Sequence, residues 1–427
     1  MAHIHQQAAA VLLGGVVATS IMFAAGAGAS TQAAKNAFDE ARAVCERDAG
    51  ALWKRSLCGP LLVVDPASRS VWANQADAEG VLKAEEGVFV GALPDGVPVA
   101  NTAVEWSGTR WSMVTLPLPK DPVARRVLLT HESWHRIQEE LGLPARDAIC
   151  NHLATERGRL LLRLEMRALA RALRAHGEAR WAAARDALLF RRQRHEEFDT
   201  AAAAERELDR HEALAEYTGV RLGAGSDAHA YAAASLDRFD GAASYVRSYA
   251  YATGPAYGLL LDERRPRWKN ELTTQTPADL LAAELELPAN VSAETVAQAA
   301  ARYDGEAVRA EEADRAERER QRIAELTAAF TSGARVVLPL RRMQIEFNPS
   351  RITPLEGIGN VYEVITVRDE WGELRASEGA LVSVDFKQVV VRGPASDGLS
   401  GPGWTLTLRA PFKLVEHEGA LTAQAEE

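Results

Sequence analysis

Cysteine is scarce in this chain, with Cys45, Cys58 and Cys150 alone in 427 residues and no C-x-x-C among them. A cysteine-ligated structural zinc is therefore not expected. Cys45 and Cys58 are near enough in sequence to close a short loop, although three pairings are open to the set. No G-x-S-x-G stretch occurs, which sets aside a serine hydrolase built on a nucleophile elbow. Basic excess is missing too: 49 Lys and Arg against 59 Asp and Glu leave a net charge of -10. General affinity for nucleic acid or an anionic membrane surface is therefore not expected. The first 30 residues hold no Lys, Arg, Asp or Glu, and the stretch from residue 8 to 28 is almost wholly apolar or small. Residues 1–30 read as a secretory signal peptide, with small-residue cleavage positions after about Ala27 to Ser30. The opening MAHIHQQ lacks the usual positive charge. An uncleaved N-terminal membrane anchor is therefore the alternative, and the one way a membrane enters. Both place the rest of the chain outside the cytoplasm, periplasmic or secreted.

What is present begins with DPVARRVLLTHESWHRIQEEL, from Asp121 to Leu141. Asp121 is a good N-cap and Pro122 suits the first helical position, while Gly142 and Pro144 stop the run. On this helix His131 and His135 lie four apart on one face, where two imidazoles can grip one zinc ion. Glu132, one step round, can reach a water on that ion. The arrangement is H-E-x-x-H, and it requires a third protein ligand later in the chain.

Upstream, residues 31–120 read as a small mixed α/β region. It holds a helix from about Ala33 to Lys54, a strand-turn-strand over Leu61 to Asn74, and extended runs at Gly87 to Leu93 and Thr102 to Leu118. Arg110 to Leu116 is the candidate strand for holding a substrate backbone, chosen by its position beside the metal helix. Residues 121–275 form the zinc-binding region, with a helical tract from about Asn151 to Leu222 that has plausible corners at His176-Gly177 and at Phe198 to Thr200. Residues 276–334 read as a helical connector opened by Thr276 and Pro277. From 335 to 418 the pattern turns to β-formers between Gly, Pro and Asn turns, which predicts a sandwich-like all-β domain. Residues 419–427 read as a disordered tail.

The third ligand is found in LDRHEALAEYTGVRLG, from Leu208 to Gly223. Glu212 and Glu216 are four apart on one helical face, so Glu212 can complete the metal site while Glu216 accepts the Nδ1-H of a ligating histidine. These residues resemble the gluzincins, the thermolysin-like and membrane-alanyl-aminopeptidase-like zinc peptidases. In the aminopeptidase branch the third ligand belongs to a stretch like N-E-G-F-A-E-Y, and this chain has His211-Glu212-Ala213-Leu214-Ala215-Glu216-Tyr217. The resemblance extends to a Y-x-x-G, Tyr251-Ala252-Thr253-Gly254, whose tyrosine in that branch donates to the tetrahedral oxyanion. It assigns Tyr251 that role, with Tyr249 as the alternative.

Two departures limit the resemblance. Between His135 and Glu212 lie 76 residues, far more than in the aminopeptidase branch, and no G-A-M-E-N-like stretch precedes His131. Aminopeptidase specificity is therefore not implied. The expectation is an α+β protein with a zincin-like catalytic domain and a C-terminal all-β domain. It would act as an exported zinc metallopeptidase on a peptide or protein substrate, with Glu132 as general base. The alternative is an inactive zincin-like binding or scaffold protein of the cell envelope.

Overall fold

The computed structural model describes residues 30–144, 146–287, 292–348 and 351–426. The signal peptide expected at residues 1–30 lies, apart from Ser30, outside the described residues. The chain is α+β and divides into two compact units, one reaching Glu312 and one starting at Ala313. Among the described residues no helix is long and apolar enough to cross a membrane.

The first unit opens with a helix over residues 30–48 (α1) and a six-stranded sheet. Its strands are β1 (Leu61–Val64), β2 (Ser70–Ala73), β3 (Lys83–Glu85), β4 (Val88–Ala92), β5 (Thr102–Trp106) and β6 (Thr109–Thr115), ordered β3-β4-β2-β1-β6-β5. Alternation along the strands sends Leu61 and Val63 to one face, where Ala34 and Phe38 of α1 pack, and Leu62 and Val64 to the other with Trp111 and Met113. The strand expected to hold a substrate backbone, Arg110 to Leu116, is an interior strand of this sheet. β6 pairs with β1 on one side and β5 on the other, so its backbone groups are already engaged. The outer strand of the sheet on this side is β5.

The helix carrying His131 and His135, α2 (Pro122–Ile137), starts where the sequence places it: Asp121 accepts from the Ala124 N–H at 2.7 Å and Pro122 occupies the first turn. It is buried on two sides, Leu129 packing on the sheet and Val127, Trp134 and Ile137 joining the core of the helical tract. That tract comprises α3 (Glu156–Arg174), α4 (Gly177–Glu197), α5 (Ala201–Leu208), a π-helical segment (Asp209–Ala213), α6 (Leu214–Gly223), α7 (Ala228–Phe239) and α8 (Tyr249–Arg264). The expected corners mark helix junctions: His176 caps α4 at Gly177, and Phe198 to Thr200 lie between α4 and α5.

Close approach of the helices depends on missing side chains. A Cβ at Gly219 would stand 2.6 Å from the Val127 carbonyl oxygen, so only glycine lets α6 lie against α2. Likewise a Cβ at Gly254, the glycine of the Y-x-x-G, would meet the Ala213 Cβ at 2.3 Å. α8 therefore reaches the π-helical segment only because residue 254 lacks one.

Of the three cysteine pairings, Cys45–Cys58 is the one formed, and Cys150 is free and buried. The bridged loop carries Trp53, whose ring packs 5.7 Å from Trp134 of α2 and whose Nε1 donates to Thr218 Oγ1 of α6 at 2.8 Å. Trp53 is thus a wedge fastened to both site helices. The expected connector is less separate than the sequence implies. α9 (Pro277–Glu284), capped by Thr276 and Asp279, and α10 (Ala293–Ala301) place Leu280, Leu281 and Val296 in the first unit's core. The second unit takes in α11 (Gly305–Thr331) from Ala313 onward, then a seven-stranded and a five-stranded sheet sharing one core, with Val336, Val367, Leu374, Val389 and Trp404 among its residues. The tail expected to be disordered is a strand instead: Ala420–Ala425 pairs with Phe412–His417, burying Ala420 and Ala423.

Replacing Cys45 and Cys58 together by serine should lower the unfolding free energy by about 3 kcal/mol, the loop-entropy contribution for their separation of 13 residues. Urea denaturation measures it. An unchanged midpoint would show that Trp53 holds the loop unaided.

Candidate metal centre

His131 and His135 project from adjacent turns of α2, and Glu212 meets them from the π-helical segment. The two Nε2 atoms are 3.0 Å apart, and Glu212 Oε2 lies 3.3 Å from that of His131 and 3.5 Å from that of His135. The protons on these rings can be placed from their partners. His131 Nδ1 sits 2.7 Å from Glu216 Oε2, a carboxylate oxygen that can only accept, so Nδ1 carries the hydrogen. His135 Nδ1 is 3.2 Å from Gln138 Oε1. The Gln138 amide is oriented by its Nε2, which donates to the Leu143 and Arg210 carbonyls, so here too Nδ1 donates. Both Nε2 atoms therefore present lone pairs to each other and to a carboxylate oxygen that is buried without a hydrogen-bond donor. Three such pairs repel unless a positive charge lies among them. His131, His135 and Glu212 form a group that could hold a metal ion, and its donor set fits one.

No family model, curated protein or solved structure matches the chain. What can be said of the site comes from its own residues.

Without a metal the cluster takes up protons. Burial opposes charge on His131, but Glu212 and Glu216 outweigh it and hold the imidazole pKa well above its ordinary value. Burial would raise the pKa of Glu212, yet His131 and His135 hold it well below the usual carboxylate range. Glu132 is 3% exposed, and one of its oxygens is buried without a partner. Its carboxyl is pushed up to about 7 by burial, with Glu212 and Glu216 adding to the effect and His131 opposing it.

The four tyrosines near the start of α8 separate cleanly. Tyr251 stacks on His131, with rings parallel to within 2° and centroids 5.4 Å apart. Burial and the adjacent Glu212 carboxylate keep its phenol protonated, hence a donor. Tyr249, the alternative, turns away to Asp209 at 2.8 Å; Tyr245 donates to the Phe239 carbonyl and Tyr257 to Glu165.

Two site residues escaped the sequence reading. Gln138 was visible in principle, since it stands three positions after His135. His211, directly before Glu212, places its ring 4.7 Å from that of His135 and its Nε2 3.4 Å from Glu212 Oε1. Beside these two histidines opens a cleft of about 140 Å³ bordered by Thr102 and Ala103 of β5 and by Arg110. A larger groove of about 630 Å³ is lined by Arg167, Arg171, Asp237 and Tyr303, none of them from the metal group.

Glu212→Gln should abolish stoichiometric metal uptake, and Glu216→Gln should weaken it roughly 10- to 100-fold, both read by mass spectrometry of metal content and by chelator competition. The exchange of these two outcomes would reverse the roles of the carboxylates. Because a metal must displace the proton favoured by the raised His131 pKa, affinity should rise with pH, roughly tenfold per unit per proton released. Calorimetry in buffers of different ionisation enthalpy counts that proton; a count of zero would contradict the tautomer and charge assignment.

Proposed function

We propose that the chain is an exported zinc metallopeptidase of gluzincin type, with a zincin-like catalytic unit that hydrolyses a peptide or amide bond. The observation carrying this is the convergence of two imidazole lone pairs and one carboxylate oxygen beside the buried carboxyl of Glu132. Zinc, when bound by His131, His135 and Glu212, supplies Lewis-acid chemistry that acidifies water and polarises a carbonyl. Glu132 takes the proton of the attacking water and returns it to the leaving nitrogen, a role favoured by a pKa near the working pH. Tyr251 donates from the His131 side to the developing oxyanion. Glu216 and Gln138 hold the two imidazoles in the tautomer and orientation that ligation needs.

In this reading an extended substrate backbone would run along β5 rather than β6. β5 ends the sheet, and its Thr102 and Ala103 border the cleft at His135. Export is supported by the Cys45–Cys58 disulfide together with the apolar N-terminal run.

Glu132→Gln should keep the metal and lose hydrolysis by roughly 10²- to 10⁴-fold. Tyr251→Phe should keep the metal and lower kcat by roughly 10²- to 10³-fold. Peptide libraries analysed by mass spectrometry, with metal content measured in parallel, check both. A fully zinc-loaded wild type that cuts nothing across such libraries would favour the binding or scaffold alternative.

A further inference from the structure

Beneath the metal centre the helical tract buries a second cluster of charges that hydrolysis does not use. Arg194 of α4 pairs with Glu205 of α5 through two bonds of 2.6 and 2.8 Å, and with Glu165 of α3 at 2.7 Å. Arg191, one turn earlier, donates to Asp209 at 2.5 Å. Arg194, Glu165 and Glu205 have no exposed surface at their side chains, and Arg191 and Asp209 are at most 5% exposed. Buried ion pairs of this kind rarely stabilise a fold more than apolar packing would, because desolvation offsets the attraction. What they can specify is geometry.

The geometry in question is the π-helical segment. Asp209 is its first residue and Glu212 its fourth. Such widened turns are uncommon and concentrate at functional sites. The segment is held at its start by Tyr249 of α8, whose hydroxyl lies 2.8 Å from Asp209 Oδ1 and 3.1 Å from the Glu205 carbonyl oxygen. Arg191 holds the other Asp209 oxygen, and Gln138 donates to the carbonyl of Arg210, the next residue. α3, α4 and α5, which supply Glu165, Arg191, Arg194 and Glu205, are the helices that lengthen the spacer between His135 and Glu212.

We propose that Asp209 and Tyr249 are positioning residues for the metal ligand: with Arg191 they pin the π-helical segment so that Glu212 is presented to His131 and His135. The proposal rests on the metallopeptidase reading, and it gives the long spacer a task, bracing one ligand from below.

The test compares two single-oxygen deletions in the full chain. Tyr249→Phe removes the hydroxyl bound to Asp209, whereas Tyr257→Phe removes the hydroxyl that donates at 2.6 Å to Glu165, a carboxylate that pairs with Arg191 but does not belong to the π-helical segment. Zinc affinity is measured by competition with a chromophoric chelator, and thermal unfolding of the metal-free proteins is followed in parallel. The expected result is a roughly tenfold loss of affinity for Tyr249→Phe and none for Tyr257→Phe, even where both lower the unfolding temperature. Equal affinities in the two variants, changed or unchanged, would overturn the proposal, since a merely structural role affects stability in both. Should Tyr249→Phe not fold, Asp209→Asn takes its place with the same expectation. A folded wild type that takes up no zinc overturns the metallopeptidase reading and this proposal together, whereas normal uptake with unaltered Tyr249→Phe affinity overturns this proposal alone.

Discussion

Mutual repulsion of electron pairs is the constraint on which the site depends. Each imidazole has its Nδ1 hydrogen committed, to Glu216 in one case and to Gln138 in the other, and so must turn a lone pair towards its neighbour 3.0 Å away. Glu212 adds a carboxylate oxygen to the same point. In a solvated place water would separate these groups. Here the histidines are at most 9% exposed, so the arrangement is held by the surrounding protein and relieved only by a proton or a cation.

Holding it takes most of the first unit. α2 cannot shift because the sheet packs on Leu129 while the helical core packs on Trp134 and Ile137. α6 cannot withdraw because glycine at position 219 lets it lie directly on the α2 backbone, and Trp53 is fastened to both. The Cys45–Cys58 bridge extends that grip to α1. The geometry of the His131, His135 and Glu212 group is thus inherited from packing: in a close-packed interior a helix has no continuous range of positions to drift through.

The distribution of what could be read in advance follows the range of each interaction. α2 was legible because its N-cap, its first-turn proline and its paired histidines are all signals within one helix. Glu212 was legible only through a second local pattern, the pair of glutamates four apart, since nothing in composition links residue 212 to residue 131. The π-helical segment left no trace, because HEALAEY has the composition of any α-helix and the widened turn is imposed by partners on α4 and α8. For the same reason spacing alone could not choose between Tyr249 and Tyr251; the choice lies in which side of α8 faces the metal group. β5 as the outer strand is a property of sheet order, which no strand encodes by itself. The last strand was missed because alanines at 420, 423 and 425 give little β signal, and its place is secured by pairing with Phe412–His417.

Charge links the candidate metal group to the buried carboxyl beside it. Three carboxyl groups, Glu132, Glu212 and Glu216, crowd two imidazoles in a region of low polarity. Burial, with Glu212 and Glu216 adding to it, raises the Glu132 carboxyl to about 7, while the same two carboxylates overcome burial to raise the His131 pKa. Both groups have folded-state pKa values above their ordinary ones, so both contribute stability at low pH that is lost as pH rises through those values. A divalent cation would offset the same crowding of carboxylates without a proton. Held by His131, His135 and Glu212, such an ion would take the place of the His131 proton and would favour the ionised form of Glu132, which is not among its candidate ligands. Burial and the neighbouring carboxylates thus act in one direction: they raise the Glu132 pKa to about 7 and gather at His131, His135 and Glu212 a donor set that could hold a cation.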